Sequence, residues 1–346
     1  MSETEKRKSP WQWLGILVVA GLMVLLLRHI DWQAVKAGFA AVDLRFLPVL
    51  VLLIALNFLI RSWRWRYLLT GGETMKMRSL VDATVIGFTG TFLLPFRAGE
   101  VVRPWILTRW EKINFGASAA SIVVERVVDA LTIIGFLAVA ITWIDNPPEW
   151  LGTGAKLLGA VAVVGVGFMV MAYFFSRSFS KLARKMISIF LFPKFLARVR
   201  AALYQLVDGF LEGLKAVSTG RQLAIVLIAS LLLWLEMALF YQATLWTMGI
   251  GLGPAAGLMV TVLVALAVAA PGPPGFLGTF QIGCLAALGL FEVSREVGLS
   301  YAIVAHFVQA ACIIPAGLWL LQARGLKLRQ SLPVSKAATD DRKQES

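Results

Sequence analysis

Long apolar runs at 47–60, 131–143, 157–175 and 223–235 alternate along this chain with short basic stretches. A helix needs about 20 predominantly apolar residues to cross the ~30 Å hydrocarbon core of a bilayer. Six segments meet that length, near 11–30, 45–68, 117–143, 155–176, 222–248 and 299–322. Two further apolar regions do not read as simple spans. The first, 79–110, is interrupted by the charged stretch 95–104; the second, 254–291, is broken at Pro271-Gly272-Pro273-Pro274-Gly275. Each predicts two short helices meeting at a turn inside the membrane. The pattern predicts an all-α polytopic membrane protein with six full spans and two re-entrant helical hairpins.

Composition agrees. Of 346 residues, 58% are hydrophobic and 15% charged, against about 25% charged in a soluble domain. That excludes a soluble globular enzyme, a disordered protein and a nucleic-acid-binding domain. The net charge of +13 instead reflects where basic residues sit. With a cytoplasmic N-terminus (1–10), 27 of the 33 lysines and arginines fall inside, five outside, and Arg126 within the membrane. This is the asymmetry of the positive-inside rule, and it holds only if both broken regions enter and leave on the same side. The second half (155–322) then repeats the first (11–143) with opposite orientation, the pattern of transporters whose site lies between inverted repeats. The plainer alternative is Pro and Gly kinking ordinary membrane helices; the charge count independently favours hairpins at 79–110 and 254–291. The segment 177–221 is basic and partly apolar, and reads as interfacial helices on anionic headgroups. Residues 323–346 read as a disordered cytoplasmic tail. Lys6-Arg7-Lys8 before an apolar run resembles a signal peptide, but no small-x-small site follows, so a retained span is expected.

Charge in the bilayer is expensive and marks an ion pair or a function. Three clusters stand out. In the first, 94–104, Pro95 and Gly99 permit a turn, Pro104 suits the first turn of the following helix, and Glu100 and Arg103 share a helix face. Arg97 and Arg103 offer planar donor forks suited to phosphate oxygens; the bland alternative is rim arginines held by lipid phosphates. The second is Glu125-Arg126-Val127-Val128-Asp129, with Arg126 able to pair with Asp129. Its local excess is negative, for Arg97 or Arg103 to neutralise; a purely structural network is the competing reading. The third runs from Pro271 and Gly272 through Gly275 and Gly278 to Gln281. It lacks the Lys-Ser/Thr of a phosphate-binding loop and reads as a membrane-embedded turn.

Weaker signals complete the set. Glu236 near mid-span needs a partner or a proton, and His306 lies inside the last span; both are possible coupling groups or hydrogen-bonded core residues. Asp82 reads as interfacial. Arg61, Arg64 and Arg66 with Trp63, Trp65 and Tyr67 read as an aromatic–basic belt anchoring a helix end. Two cysteines, Cys284 and Cys312, and two histidines, His29 and His306, exclude a disulfide framework or a zinc motif. No metal, cofactor or catalytic constellation is expected, hence no enzyme.

Three stretches taken together resemble a known family: Leu94-Pro95-x-Arg97-x-Gly99-Glu100-x-x-Arg103-Pro104, Glu125-Arg126-x-x-Asp129, and Pro271-Gly272…Gly275-x-x-Gly278. They are similar to the signatures of the lysylphosphatidylglycerol synthase transmembrane-region family. These are flippase-like proteins, represented by the membrane half of multiple peptide resistance factor. The resemblance covers about residues 12 to 322. It implies two re-entrant hairpins and a bacterial or archaeal cytoplasmic-membrane protein, with both termini cytoplasmic, that moves lipids or lipid-linked groups between leaflets. The head group would meet Arg97, Glu100, Arg103, Glu125, Arg126, Asp129 and Gln281. Family members commonly carry a glutamate where Gln281 stands and an arginine near His306, a paired departure suggesting that these two groups meet. The 24 residues after 322 are too few for a soluble transferase domain, so lysyl transfer is not expected. The expected partners are a phospholipid or lipid-linked substrate, anionic headgroups, and a second copy or a lipid-synthesis enzyme, with no nucleic acid. A membrane-embedded accessory protein or enzyme of envelope lipid or glycan synthesis is the alternative.

Overall fold

The structure is a computed structural model describing residues 32–69, 71–94, 97–144, 147–190, 197–214, 219–269 and 273–325. The expected span 11–30, Pro95, Pro271, Gly272 and the tail beyond 325 lie outside the described residues. Those described form α-helices and short 3-10 turns, with no strand among them. The twelve helices among them are α1 (Trp32–Ala40), α2 (Leu47–Leu68), α3 (Met77–Leu93), α4 (Gly99–Glu111), α5 (Phe115–Ile141), α6 (Glu149–Phe174), α7 (Ser176–Phe190), α8 (Ala197–Leu214), α9 (Gly220–Thr247), α10 (Pro254–Ala269), α11 (Thr279–Gly289) and α12 (Arg295–Ala323).

Local chemistry sets several of these starts. Asn114 accepts from the backbone of Gly116 at 2.7 Å and opens α5; Thr219 and Gln222 form a reciprocal capping box at α9; Ser294 caps α12. Each supplies acceptors for amides that a helix leaves unpaired at its first turn. Among the described residues, four segments are long and apolar enough to cross a membrane: Leu44–Leu68, Glu149–Gly167, Gly220–Thr247 and Arg295–Ala323. Helix α5, at 27 residues, has the length but carries Glu125, Arg126 and Asp129 around its middle. Outer faces are apolar, with Leu52 66%, Val163 73% and Phe307 70% exposed. Glu125, Arg64 and Arg103 are buried inside. Apolar outside and charged within is the arrangement a multi-pass membrane protein requires.

The two broken regions are both pairs of short helices, α3 with α4 and α10 with α11, each pair packed together. Gly99 makes the first pair possible. It stands at the start of α4, and a Cβ there would lie 2.0 Å from the Gly87 carbonyl oxygen and 2.2 Å from the Thr91 nitrogen. Its backbone is helical, so it serves close approach rather than the turn expected of it. The left-handed residue of that turn is Arg97, with φ 54°. Pro104 also departs from expectation: it lies inside α4, not in its first turn, because the helix already begins at Gly99. In the second pair Gly275 and Gly278 do carry the turn, at φ 67° and 87°.

Across the molecule α2 packs on α9, α3 on α12, and α5 on α10. Helix α1, unforeseen in the 31–44 loop, lies against α12. The basic segment forms α7 and α8, and α8 packs on α5, with Gly209 against Gly116. Asp82 is buried; it accepts from Arg324, which stacks over Trp110 at 4.7 Å. This ties the end of α12 to both arms of the first pair.

Replacing Gly99 with valine is expected to cost at least about 1–3 kcal/mol through overpacking. Thermal unfolding in detergent should show a lowered midpoint for Gly99→Val. Gly135→Val, where open space surrounds the Cβ position, should leave the midpoint near that of the parent protein.

Candidate functional site

Helix α2 presents Asn57, Arg61 and Arg64 at four- and three-residue spacing, which places them on one face. That face turns inward. Arg61 is 6% and Arg64 0% exposed, so the expected anchoring belt divides: these two arginines and Trp65 enter the core. Arg64 reaches Asp129 at 2.5 Å and Glu125 at 3.0 Å, and also donates to Ser230 on α9. Arg61 approaches Glu125 at 3.5 Å and stacks over Phe88.

From α4, Arg103 donates to Glu125 at 3.0 Å, with its guanidinium 3.8 Å from the Trp65 ring centre. Arg126 bridges Glu125 at 3.0 Å and Asp129 at 3.3 Å, as its spacing predicted for Asp129. Trp234 on α9 donates its indole N–H to Asp129 at 3.0 Å. In the turn before α4, Arg97 pairs with Glu100 at 2.7 Å. Glu100 and Arg103 share a helix but not a partner, because Glu125 draws Arg103 inward.

The expected negative excess is therefore reversed. Five guanidiniums (Arg61, Arg64, Arg97, Arg103, Arg126) meet three carboxylates (Glu100, Glu125, Asp129); with Glu236, the fourth carboxylate of the site, one positive charge is left over. Arg61 and Arg64 were missed because they sit at a helix end, where basic residues usually meet headgroups. The available signal was their alignment with Asn57, combined with two carboxylates on α5 needing neutralisation.

A cavity of about 460 Å³ opens beside this network. Arg61, Arg97, Arg103 and Arg126 line it with Glu100, Asp129 and Glu236, while phenylalanines such as Phe58, Phe88 and Phe240 make its apolar wall. Several donors have no hydrogen-bond partner among the described residues: Nε of Arg97, Arg103 and Arg126, and Nη2 of Arg103. Buried N–H groups normally have partners. These atoms carry almost no accessible surface; what the cavity reaches are the partly open side chains of Arg97 and Arg126, planar forks suited to phosphate-type oxygens.

The turns of the two helix pairs meet at this cavity. Arg97 lies over Phe276 at 5.7 Å, and Phe276 contacts Phe92 edge-on. Gln281 is not on the wall. Its oxygen accepts from the Gly278 amide at 2.8 Å and its nitrogen lies 3.2 Å from Nδ1 of His306, so the two departures from the family pattern do meet. His306 lines the cavity and stacks on Phe280 at 4.6 Å. Glu236 also lines it, accepting from the Asn57 amide at 2.5 Å.

Residues 12–317 match the family described as Lysylphosphatidylglycerol synthase TM region. The chain belongs to this family. It is also 24% identical to Glycosyltransferase AglD of Haloferax volcanii over 358 aligned positions, which cover 94% of this chain and 56% of that protein. The chain thus spans about half the length of that relative. No solved structure matches at a significant level. These findings correct the expectation of no enzyme. The chain is related to a protein named as a glycosyltransferase, so its family is enzyme-related. Family membership and the apolar helices together make this a multi-pass membrane protein.

Glu125→Gln removes the charge that Arg61, Arg64, Arg103 and Arg126 share. Breaking a buried ion pair from one side costs about 3–5 kcal/mol, so its unfolding midpoint should fall well below that of the parent. Arg66→Gln, outside the network, should shift it far less in the same melt.

Proposed function

We propose that this chain is a lipid-handling membrane module of envelope lipid or glycan biosynthesis. In this reading it moves a phosphate-bearing lipid, or a lipid-linked group, between leaflets in the manner of a flippase. The observation that carries it is the pair of guanidiniums, Arg97 and Arg126, that stay partly open on the cavity wall beside apolar walls. An anionic head would meet the open guanidiniums of Arg97 and Arg126 and balance the surplus charge, while acyl or prenyl chains would lie along the phenylalanine side.

The architecture supports transport. Exchanging α2 with α9, α3 with α10, α4 with α11 and α5 with α12 maps the main helix contacts onto one another: α3–α12 becomes α10–α5, and α4–α5 becomes α11–α12. That is the packing expected of an inverted repeat with its site between the halves. In the full proposal there are six spans and two re-entrant hairpins, both termini are cytoplasmic, and α7 and α8 rest on anionic headgroups. A second reading, favoured by the relative's name and greater length, is that the module holds or presents a lipid-linked substrate for a glycosyltransferase rather than moving it.

Reconstituted vesicles separate these readings. The parent protein should accelerate translocation of a fluorescent anionic phospholipid. Arg97→Gln and Arg103→Lys, which remove or reshape donor forks, should slow it about tenfold each, the equivalent of one lost charge-assisted contact. Unchanged rates in both variants would remove this site from the function; lipid retention without translocation would favour presentation.

A further inference from the structure

Binding of phosphate by the arginines leaves one charged group on the cavity wall without a task. Glu236, on α9, is 7% exposed and faces the cavity. Each other carboxylate of the site has a guanidinium close by: Glu100 has Arg97 at 2.7 Å, Glu125 has Arg103 at 3.0 Å, and Asp129 has Arg64 at 2.5 Å. Glu236 has no cation within ion-pair distance among the described residues. Its partner is the neutral amide of Asn57, whose own oxygen accepts from Arg61 at 3.5 Å. Asn57 therefore stands between the carboxylate and the arginines.

One neutral donor does not compensate a buried carboxylate, which needs a counter-charge or several donors. The spacing is set by the helix: Asn57 and Arg61 are one turn apart on α2, about 6 Å of rise. The wall thus carries a cationic pole and, roughly one helical turn away, an anionic one. Phe240 and Tyr241 line the recess close to Glu236, and aromatic faces favour an organic cation.

We infer that the cavity selects head groups carrying a protonated amine beside a phosphate, as in an aminoalkyl phosphate ester, with the arginines on the phosphate and Glu236 on the ammonium. This rests on the phosphate-binding reading above and deepens it. A primary ammonium brings three N–H donors and supplies the charge that Glu236 lacks. A glycerol head offers only hydroxyls, and a choline head brings charge without an N–H.

The test is competitive lipid retention in nanodiscs, read by native mass spectrometry, with phosphatidylethanolamine, phosphatidylglycerol and phosphatidylcholine as probes. The parent protein should retain the ethanolamine lipid over the glycerol lipid by about tenfold, the size of one charge-assisted hydrogen bond. Glu236→Gln should bring that ratio close to one, and Glu236→Asp, which keeps the charge, should preserve most of it. A parent ratio near one overturns the inference, and so does an unchanged ratio in Glu236→Gln. If Glu236→Gln does not fold, the parent ratio and Glu236→Asp still decide. Retention of none of the three lipids by the parent overturns the phosphate-binding reading itself, a result distinct from retention without discrimination.

Discussion

A carboxylate removed from water must be neutralised where it lies, and Glu125 has no exposed surface at all. The cost of its burial is met by guanidiniums from three helices: Arg61 and Arg64 from α2, Arg103 from α4, and Arg126 from its own α5. That single requirement fixes the relative positions of these elements. It draws α4 against α5, holds the first helix pair in place, and forces the inner face of α2 to be basic. Because four arginines answer one carboxylate and Asp129 absorbs only part of the remainder, the solution overshoots. The surplus charge faces the cavity, so the device that stabilises the core also gives that wall its positive character.

Much of this was legible in the chain, and the rest failed for identifiable reasons. Long apolar runs specify long helices because nothing else satisfies backbone groups in hydrocarbon, and α2, α5, α6 and α9 overlap the runs. The breaks near 95–104 and 271–275 mark the two short-helix pairs, since Pro and Gly in an apolar stretch interrupt it wherever they fall. Arg61 and Arg64 were misjudged because sequence position reports depth along a helix but not which way a side chain faces. Depth suggested a rim; the three- and four-residue spacing from Asn57 pointed to a common inner face. Gly99 was assigned to a turn for its backbone freedom, whereas its role is the absence of a side chain at a helix crossing, a property of the neighbour as much as of the residue. Gln281 and His306 were foreseen as a pair for an electrostatic reason: an acid and a base both missing from a family pattern leave a neutral contact only if they touched.

The contact map is close to symmetric, yet the charge is not. Where α4 and α5 are bridged by Arg103 and Glu125, the corresponding pair α11 and α12 is bridged by Gln281 and His306. Similar packing therefore supports an ionic bridge on one side of the cavity and a neutral one on the other. An ionic pair in low dielectric is costly to separate, and a neutral hydrogen bond is much less so. If the two halves move against each other around the cavity, the half holding Glu125 is the rigid one. The half holding Gln281 is where rearrangement is cheapest. The neutral bridge between Gln281 and His306 thus leaves the second pair of short helices freer to rearrange than the first, which Arg103 and Glu125 lock to α5.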